Sequence, residues 1–159
     1  IGVVGDNGCG KTTLIKEIIS SIFDDVRMLY IPQEPTELQK TETLRKIKGL
    51  SNSQRGKVLS IVAQLNSNPD YVLAGELTSP GEMRKLMLAQ GMLELPELIV
   101  VDEPTNYLDL GSTVALERLL SEYPGALLLV SHDLSLVDSA TSIKWSIHRS
   151  NDNFELVVQ

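Results

Sequence analysis

Cysteine, positive charge and long hydrophobic runs are all scarce in this 159-residue chain. Its single cysteine, Cys9, excludes an intramolecular disulfide and favours a reducing compartment such as the cytoplasm. Acidic residues outnumber basic ones by 21 to 14, which gives a net charge of −7 and excludes a chain that is basic throughout and binds nucleic acid. Because no apolar run approaches the roughly 20 residues that cross a bilayer, we expect no membrane span.

The composition that remains is that of a globular domain, with 42% hydrophobic and 22% charged residues. Apolar runs of four or five residues alternate with segments of helical spacing. This alternation predicts an α/β fold whose mostly parallel sheet is covered by helices on both faces. The predicted strands are 1–4, 28–31, 98–101, 126–130, 142–147 and 154–158, and the predicted helices are 13–19, 43–48, 54–65, 81–93, 110–122 and 134–140.

A glycine-rich loop from Gly5 to Thr12 matches the phosphate-binding pattern G-x-x-x-x-G-K-[ST] between a strand and a helix. Its glycines allow the backbone N–H groups and the positive end of the helix to approach an anion closely. Lys11 is predicted to reach the β- and γ-phosphates of a nucleotide, and the Thr12 hydroxyl to bind Mg²⁺. The predicted nucleotide contacts here are Gly5, Asp6, Asn7, Gly8, Cys9, Gly10, Lys11, Thr12 and Thr13.

Polar side chains also follow three of the predicted strands, at the sheet edge where α/β proteins hold their ligands. Asp102 is the expected second protein ligand of Mg²⁺, and Glu103 is suited to orient or deprotonate an attacking water. His132 follows the strand 126–130 and is predicted to bond the γ-phosphate. Gln33 follows the strand 28–31 and is a candidate contact to the metal or to the attacking water.

A helix start is predicted at Ser79, because Ser79 and Glu82 have the spacing of a capping box and Pro80 occupies the favoured first helical position. A helix start also attracts anions. The Ser79 hydroxyl and the Gly81 N–H are therefore candidates to hold a γ-phosphate.

The order of these motifs resembles that of an ATP-binding-cassette (ABC) ATPase domain, with Asp109 as the aspartate loop. The resemblance implies a P-loop NTPase fold with a small helical insertion, ATP and Mg²⁺ as ligands, and ATP hydrolysis. It also implies a second cassette, in the same chain or a second copy, whose nucleotide would be contacted by Ser79, Gly81 and Glu82. Thr78 and Pro80 depart from the usual signature, where leucine and glycine stand.

The expected organisation is one ATPase domain over residues 1–159, with a core at 1–39 and 95–159 and a helical subdomain at about 40–94. Because residues 1–4 have the pattern of an interior strand, we expect the domain to be incomplete at its amino-terminal end.

Two interpretations of the cellular role stay open. The run from Asp102 to Leu110 is similar to the acidic motif of the soluble ABC-F subfamily, and this resemblance implies a protein that acts on the ribosome or another macromolecule. The short spacing from Lys11 to Gln33 favours the soluble class. The alternative is the ATPase subunit of a membrane transporter, bound to a transmembrane partner. A slow nucleotide switch is a third interpretation, because Pro80 lacks an N–H donor.

Overall fold

A computed structural model describes residues 1–22, 25–74, 79–150 and 153–159. Within these residues six strands form one sheet in the order β2-β3-β4-β1-β5-β6. The strands are β1 (Gly2–Gly5), β2 (Met28–Ile31), β3 (Leu98–Asp102), β4 (Ala126–Val130), β5 (Lys144–Ser150) and β6 (Asn153–Val158). All neighbours are parallel except β5 and β6, which pair antiparallel. The predicted mostly parallel sheet is confirmed, while the middle of the predicted turn at 150–153 lies outside the described residues.

The described helices are α1 (Lys11–Ser21), α2 (Glu37–Lys48), α3 (Asn52–Gln64), α4 (Pro69–Ala74), α5 (Pro80–Gly91), α6 (Leu110–Ser121) and α7 (Leu134–Ala140), with a 3₁₀ turn at Met92–Glu94. Helix α2 begins at Glu37 rather than at residue 43, because Thr36 and Gln39 form a reciprocal capping box. Helix α4 was not predicted from the sequence. None of these helices is both long and apolar enough to cross a bilayer.

The hydrophobic core lies on both faces of the sheet, as the side chains of β3 show. Ile99 and Val101 belong to the cluster under α5, α6 and α7, whereas Val100 belongs to the cluster that includes Ile15 of α1. Successive side chains of a strand point to opposite faces. Both faces of this interior strand are therefore buried, which explains why its sequence is continuously apolar up to Asp102.

Helices α2 to α5 are inserted between β2 and β3 and have a small core of their own, formed by Ile47, Val58, Val62, Leu86 and Ala89. Helix α5 takes part in both cores, because its Met83, Met87 and Leu88 pack in the cluster against the sheet. The insertion is thus attached to the sheet through α5, whose first turn carries Ser79 as its cap.

Candidate nucleotide-binding site

The glycine-rich loop joins β1 to α1 through left-handed backbone conformations. The φ angles of Gly8 and Gly10 are 78° and 91°, values that only glycine adopts at little cost. An added Cβ at Gly5 would lie 2.7 Å from the Ile147 carbonyl oxygen and 2.8 Å from Cys9 Sγ, whereas one at Gly8 or Gly10 would meet no atom within 4 Å. The first glycine is therefore required for packing, and the other two border open space.

Lys11 is the first residue of α1 and is 93% buried, with a relative exposure of 7%. Its Nζ donates to the carbonyl oxygens of Gly5 at 2.8 Å and Asp6 at 3.1 Å, and it lies 3.8 Å from Glu103 Oε1. The loop thus holds a buried ammonium group beside the glycines that border the open space.

Thr12 and Asp102 form the next part of the site. The Thr12 hydroxyl donates to Asp102 Oδ2 at 3.0 Å. The other oxygen, Oδ1, is buried and has no hydrogen-bond partner among the described residues. Burial raises the pKa of Asp102 above its ordinary value, and the hydrogen bond from Thr12 opposes this effect. A hydroxyl and a carboxylate with a free oxygen have the donor chemistry that Mg²⁺ prefers.

Glu103 has a positive φ of 48°, an uncommon conformation for a residue other than glycine. Its carboxylate oxygen Oε2 lies 2.7 Å from His132 Nδ1 and accepts from the His132 main-chain N–H at 3.3 Å. An ionised carboxylate can only accept, so the proton of this contact is on Nδ1. Lys11 and His132 together hold the carboxylate at the end of β3.

These groups surround a cavity of about 520 Å³. Its lining consists of Asn7, Gly8, Gly10, Lys11, Thr12, Thr13, Gln33, Glu103, Asn106 and His132. Asp102 lies behind Thr12, and the buried Cys9 packs in the core. Gly5 and Asp6 also stand outside the lining and reach the site through their carbonyl contacts to Lys11. Sequence reasoning missed Asn106, whose only signal is its place shortly after the two carboxylates.

Ser79, Gly81 and Glu82 do not line this cavity. Ser79 Oγ accepts from the Glu82 N–H at 3.1 Å, but the Glu82 carboxylate accepts from Lys85 Nζ at 2.9 Å. Only one of the two hydrogen bonds of the capping box is therefore present, while Pro80 is the first helical residue as predicted. Thr78 lies outside the described residues.

A second polar network connects the start of α5 to the start of α6. Besides its contact to Glu82, the buried Lys85 donates to Ser112 Oγ at 2.7 Å, and Ser112 Oγ donates to Asp109 Oδ2 at 2.8 Å. Asp109 caps α6, because its Oδ1 accepts from the Ser112 N–H at 2.8 Å. These hydrogen bonds from Ser112 hold the pKa of Asp109 below its ordinary value.

A family model described as "ABC transporter" matches residues 20–106. The "ATP-binding protein Uup" of Escherichia coli (strain K12) is 32% identical over 161 residues, which cover 91% of this chain and 25% of Uup. The "Ribosome protection protein VmlR" of Bacillus subtilis (strain 168) is 32% identical, with 98% of this chain and 30% of VmlR covered.

A solved structure named "Structure of ATP binding subunit of ABC transporter" has a TM-score of 0.67 to this chain at 25% identity. The match covers 92% of this chain and 73% of that one. The chain spans less than a third of the length of either curated relative.

Proposed function

The chain belongs to the ABC family of ATPases, and from that premise we propose that it binds Mg-ATP at the glycine-rich loop and hydrolyses it within a pair of cassettes. The observation that carries this proposal is the convergence of Lys11, Thr12, Glu103 and His132 on one cavity, although they come from three separate parts of the chain. The cavity is of a size that holds a small ligand.

Phosphate binding is proposed to depend on Lys11 and the loop backbone. The buried ammonium supplies a positive charge that is already in place, so little reorganisation is needed when the triphosphate enters. Gly8 and Gly10 leave the space that the phosphate oxygens would take. Asn7 and Thr13 complete this part of the lining.

The residues present fit a magnesium ion. Thr12, Asp102 and Gln33 are its proposed protein contacts, and the buried Asp102 Oδ1 is the oxygen without a partner. Among the described residues no group of three or more His, Cys, Asp or Glu side chains could hold a metal by itself. Phosphate oxygens would therefore complete the ligand set, and the ion would neutralise charge on the β- and γ-phosphates.

Glu103 is the proposed residue for the attacking water. Its carboxylate would orient the water or take its proton, while Lys11 and His132 hold the carboxylate in place. His132 is more than half exposed at its side chain, which supports a second role as a contact to the γ-phosphate. Gln33 lies on the same cavity and would position the water or the metal.

A second cassette is proposed because Ser79, Gly81 and Glu82 stand outside the cavity of their own chain. They would contact the ATP of a partner cassette, either elsewhere in the same protein or in a second copy. Helix α5 carries them on the insertion, which we propose as a helical subdomain at about 40–94 attached to a core at 1–39 and 95–159.

For the cellular role we propose a cytoplasmic ABC-F-like protein acting on the ribosome or another macromolecule. The support is the similarity to VmlR, whose name states that it protects ribosomes. The second candidate is the ATPase subunit of a membrane transporter, which the similarity to the solved transporter subunit favours.

The first test uses Glu103→Gln in the complete protein, with Glu122→Gln as a surface control. We expect Glu103→Gln to lower ATP turnover by about 10² to 10⁴-fold, because the group that handles the water is lost, while ATP binding persists. Lys11→Ala should instead weaken ATP binding by at least about tenfold, since a charge-assisted contact is removed. Unchanged turnover of Glu103→Gln would contradict the proposed mechanism.

The cellular role is tested by sedimentation of the Glu103→Gln protein from cell lysate with and without Mg-ATP. Movement with ribosomes only when Mg-ATP is present would support the ABC-F interpretation. Recovery in the membrane fraction would favour the transporter interpretation instead.

A further inference from the structure

We propose that Arg84 is a positioning residue that acts through Glu103 by holding the acidic loop, residues 102–107, from outside the lining of the cavity. The inference rests on the proposed function, because it gives Glu103 the role of handling the attacking water. Arg84 lies on α5, two residues after Glu82, the last residue of the segment proposed to touch the partner's nucleotide.

Three hydrogen bonds join the Arg84 guanidinium to main-chain carbonyls of this loop. Nη2 donates to the carbonyl oxygens of Asp102 at 2.8 Å and Glu103 at 2.9 Å, and Nη1 reaches that of Asn106 at 3.4 Å. A guanidinium presents several donors in a rigid plane, so one side chain can hold three acceptors in a defined arrangement. A lysine at this position could not reproduce that arrangement.

The guanidinium is an unusual group to find here. Arg84 is 4% exposed, and no carboxylate among the described residues forms a salt bridge with it. Burial lowers the pKa of Arg84, and the charges of Asp102 and Glu103 oppose this effect. A buried cation costs free energy unless its donors are well used. Arg84 Nε has no hydrogen-bond partner among the described residues, so the three hydrogen bonds from Nη1 and Nη2 to the loop are what offsets the cost of burying this charge.

The loop that Arg84 holds is the strained part of the site. Glu103 and Tyr107 have positive φ angles of 48° and 66°, and the three bound carbonyls belong to residues 102, 103 and 106. Left-handed conformations of such residues persist only when their surroundings enforce them. The Glu103 N–H also donates to the Val130 carbonyl oxygen at 2.8 Å, so the guanidinium is not the sole main-chain restraint on this residue. Losing it would let the Glu103 backbone relax and its carboxylate move away from Lys11 and His132.

A second close contact between α5 and the acidic loop is made at Gly81. An added Cβ at Gly81 would lie 2.6 Å from the Tyr107 carbonyl oxygen, so the start of α5 lies directly against the loop backbone. A shift of α5 would therefore be transmitted to the acidic loop through both Gly81 and Arg84. By this route, contact of the signature segment with a partner's nucleotide would change the position of Glu103.

The test compares Arg84→Gln and Arg84→Lys in the complete protein, with Arg118→Gln as a control for loss of an exposed arginine. We expect kcat to fall about 10 to 100-fold in Arg84→Gln, as for other residues that orient a catalytic group. ATP affinity should stay within about threefold, because Lys11 and Thr12 are unchanged. Arg84→Lys should have a kcat between those of Arg84→Gln and the unmodified protein.

The deciding measurement is a double-mutant cycle with Glu103→Gln. If Arg84 acts through Glu103, adding Arg84→Gln to Glu103→Gln should change the residual turnover by less than about twofold. Losses that multiply would overturn the inference, as would an unchanged kcat in Arg84→Gln. If thermal melting shows that Arg84→Gln is unfolded, the same cycle with Arg84→Lys decides, because that variant keeps the buried charge. Normal turnover of Glu103→Gln alone would instead refute the proposed function.

Discussion

Replacing Asp102 by asparagine should stabilise the protein in the absence of Mg-ATP. Asp102 is 1% exposed, and its Oδ1 has no hydrogen-bond partner among the described residues. A buried charged oxygen of this kind costs about 1–3 kcal/mol or more. Nearby Arg84 and Lys11 offset part of this cost, yet the pKa of Asp102 is raised, so folding still disfavours its charged form relative to the unfolded chain. We therefore expect Asp102→Asn to raise the free energy of unfolding by about 1 kcal/mol when Mg-ATP is absent.

The same substitution should have the opposite effect once Mg-ATP is present. A ligand at a hundred times its Kd stabilises the protein by about 2.7 kcal/mol. Mg-ATP should stabilise the Asp102→Asn variant by much less than this, because the variant lacks a proposed metal contact. Binding of Mg-ATP would thus make the unmodified protein more stable than Asp102→Asn, the reverse of the order without ligand. This reversal is expected if the Asp102 carboxylate serves binding and lowers the stability of the free protein.

The pH dependence follows from the raised pKa of Asp102. The native state holds this proton more tightly than the unfolded state, so the unmodified protein loses stability as pH rises from the ordinary value of 3.8 through the raised pKa. The advantage of Asp102→Asn should therefore be absent at lower pH, grow across that window and stay constant above it.

The assay is thermal unfolding of the complete protein in EDTA and then in excess Mg-ATP, where 1 kcal/mol shifts Tm by about 2–4 °C for a domain of this size. Asp70→Asn, at an exposed aspartate, is the matched control and should shift stability by less than about 0.5 kcal/mol. A lower Tm for Asp102→Asn in EDTA would refute the reasoning, because it would mean that the buried charge is stabilising.

Two further predictions concern α5 and α6. Gly81→Ala should lower the free energy of unfolding by about 1–3 kcal/mol, because its Cβ would lie 2.6 Å from a carbonyl oxygen, whereas Gly56→Ala in the exposed face of α3 should raise it by about 0.5–1 kcal/mol. Urea unfolding measures both, and equal effects would contradict the packing described. Asp109→Asn should be less stable than the unmodified protein at neutral pH, and the gap should close as pH falls below 3.8 through the lowered pKa of Asp109. A gap that persists in acid would show that the charge is not the cause.

The parts of this protein that short segments encode could be predicted from the sequence. The loop from Gly5 to Thr12 specifies its own conformation, because the residues that need positive φ are glycines and the flanking strand and helix are adjacent in the chain. The bounds of β2, β4 and α7 were predicted without error. In contrast, α4 was missed because Asn68 and Pro69 suggested only a loop, although Pro69 is the first residue of that helix.

The sequence by itself determined the phosphate loop, the α/β class and the identity of the two carboxylates at the end of β3, since each is written in a few consecutive residues. Only the tertiary structure decided that Glu103 is held by Lys11 and His132, that Asn106 borders the cavity and that Arg84 binds the main-chain carbonyls of the loop. These contacts join residues 18 or more positions apart, up to 92 for Lys11 and Glu103. No local pattern records them, because the packing of α5 and the order of the parallel strands bring their partners together.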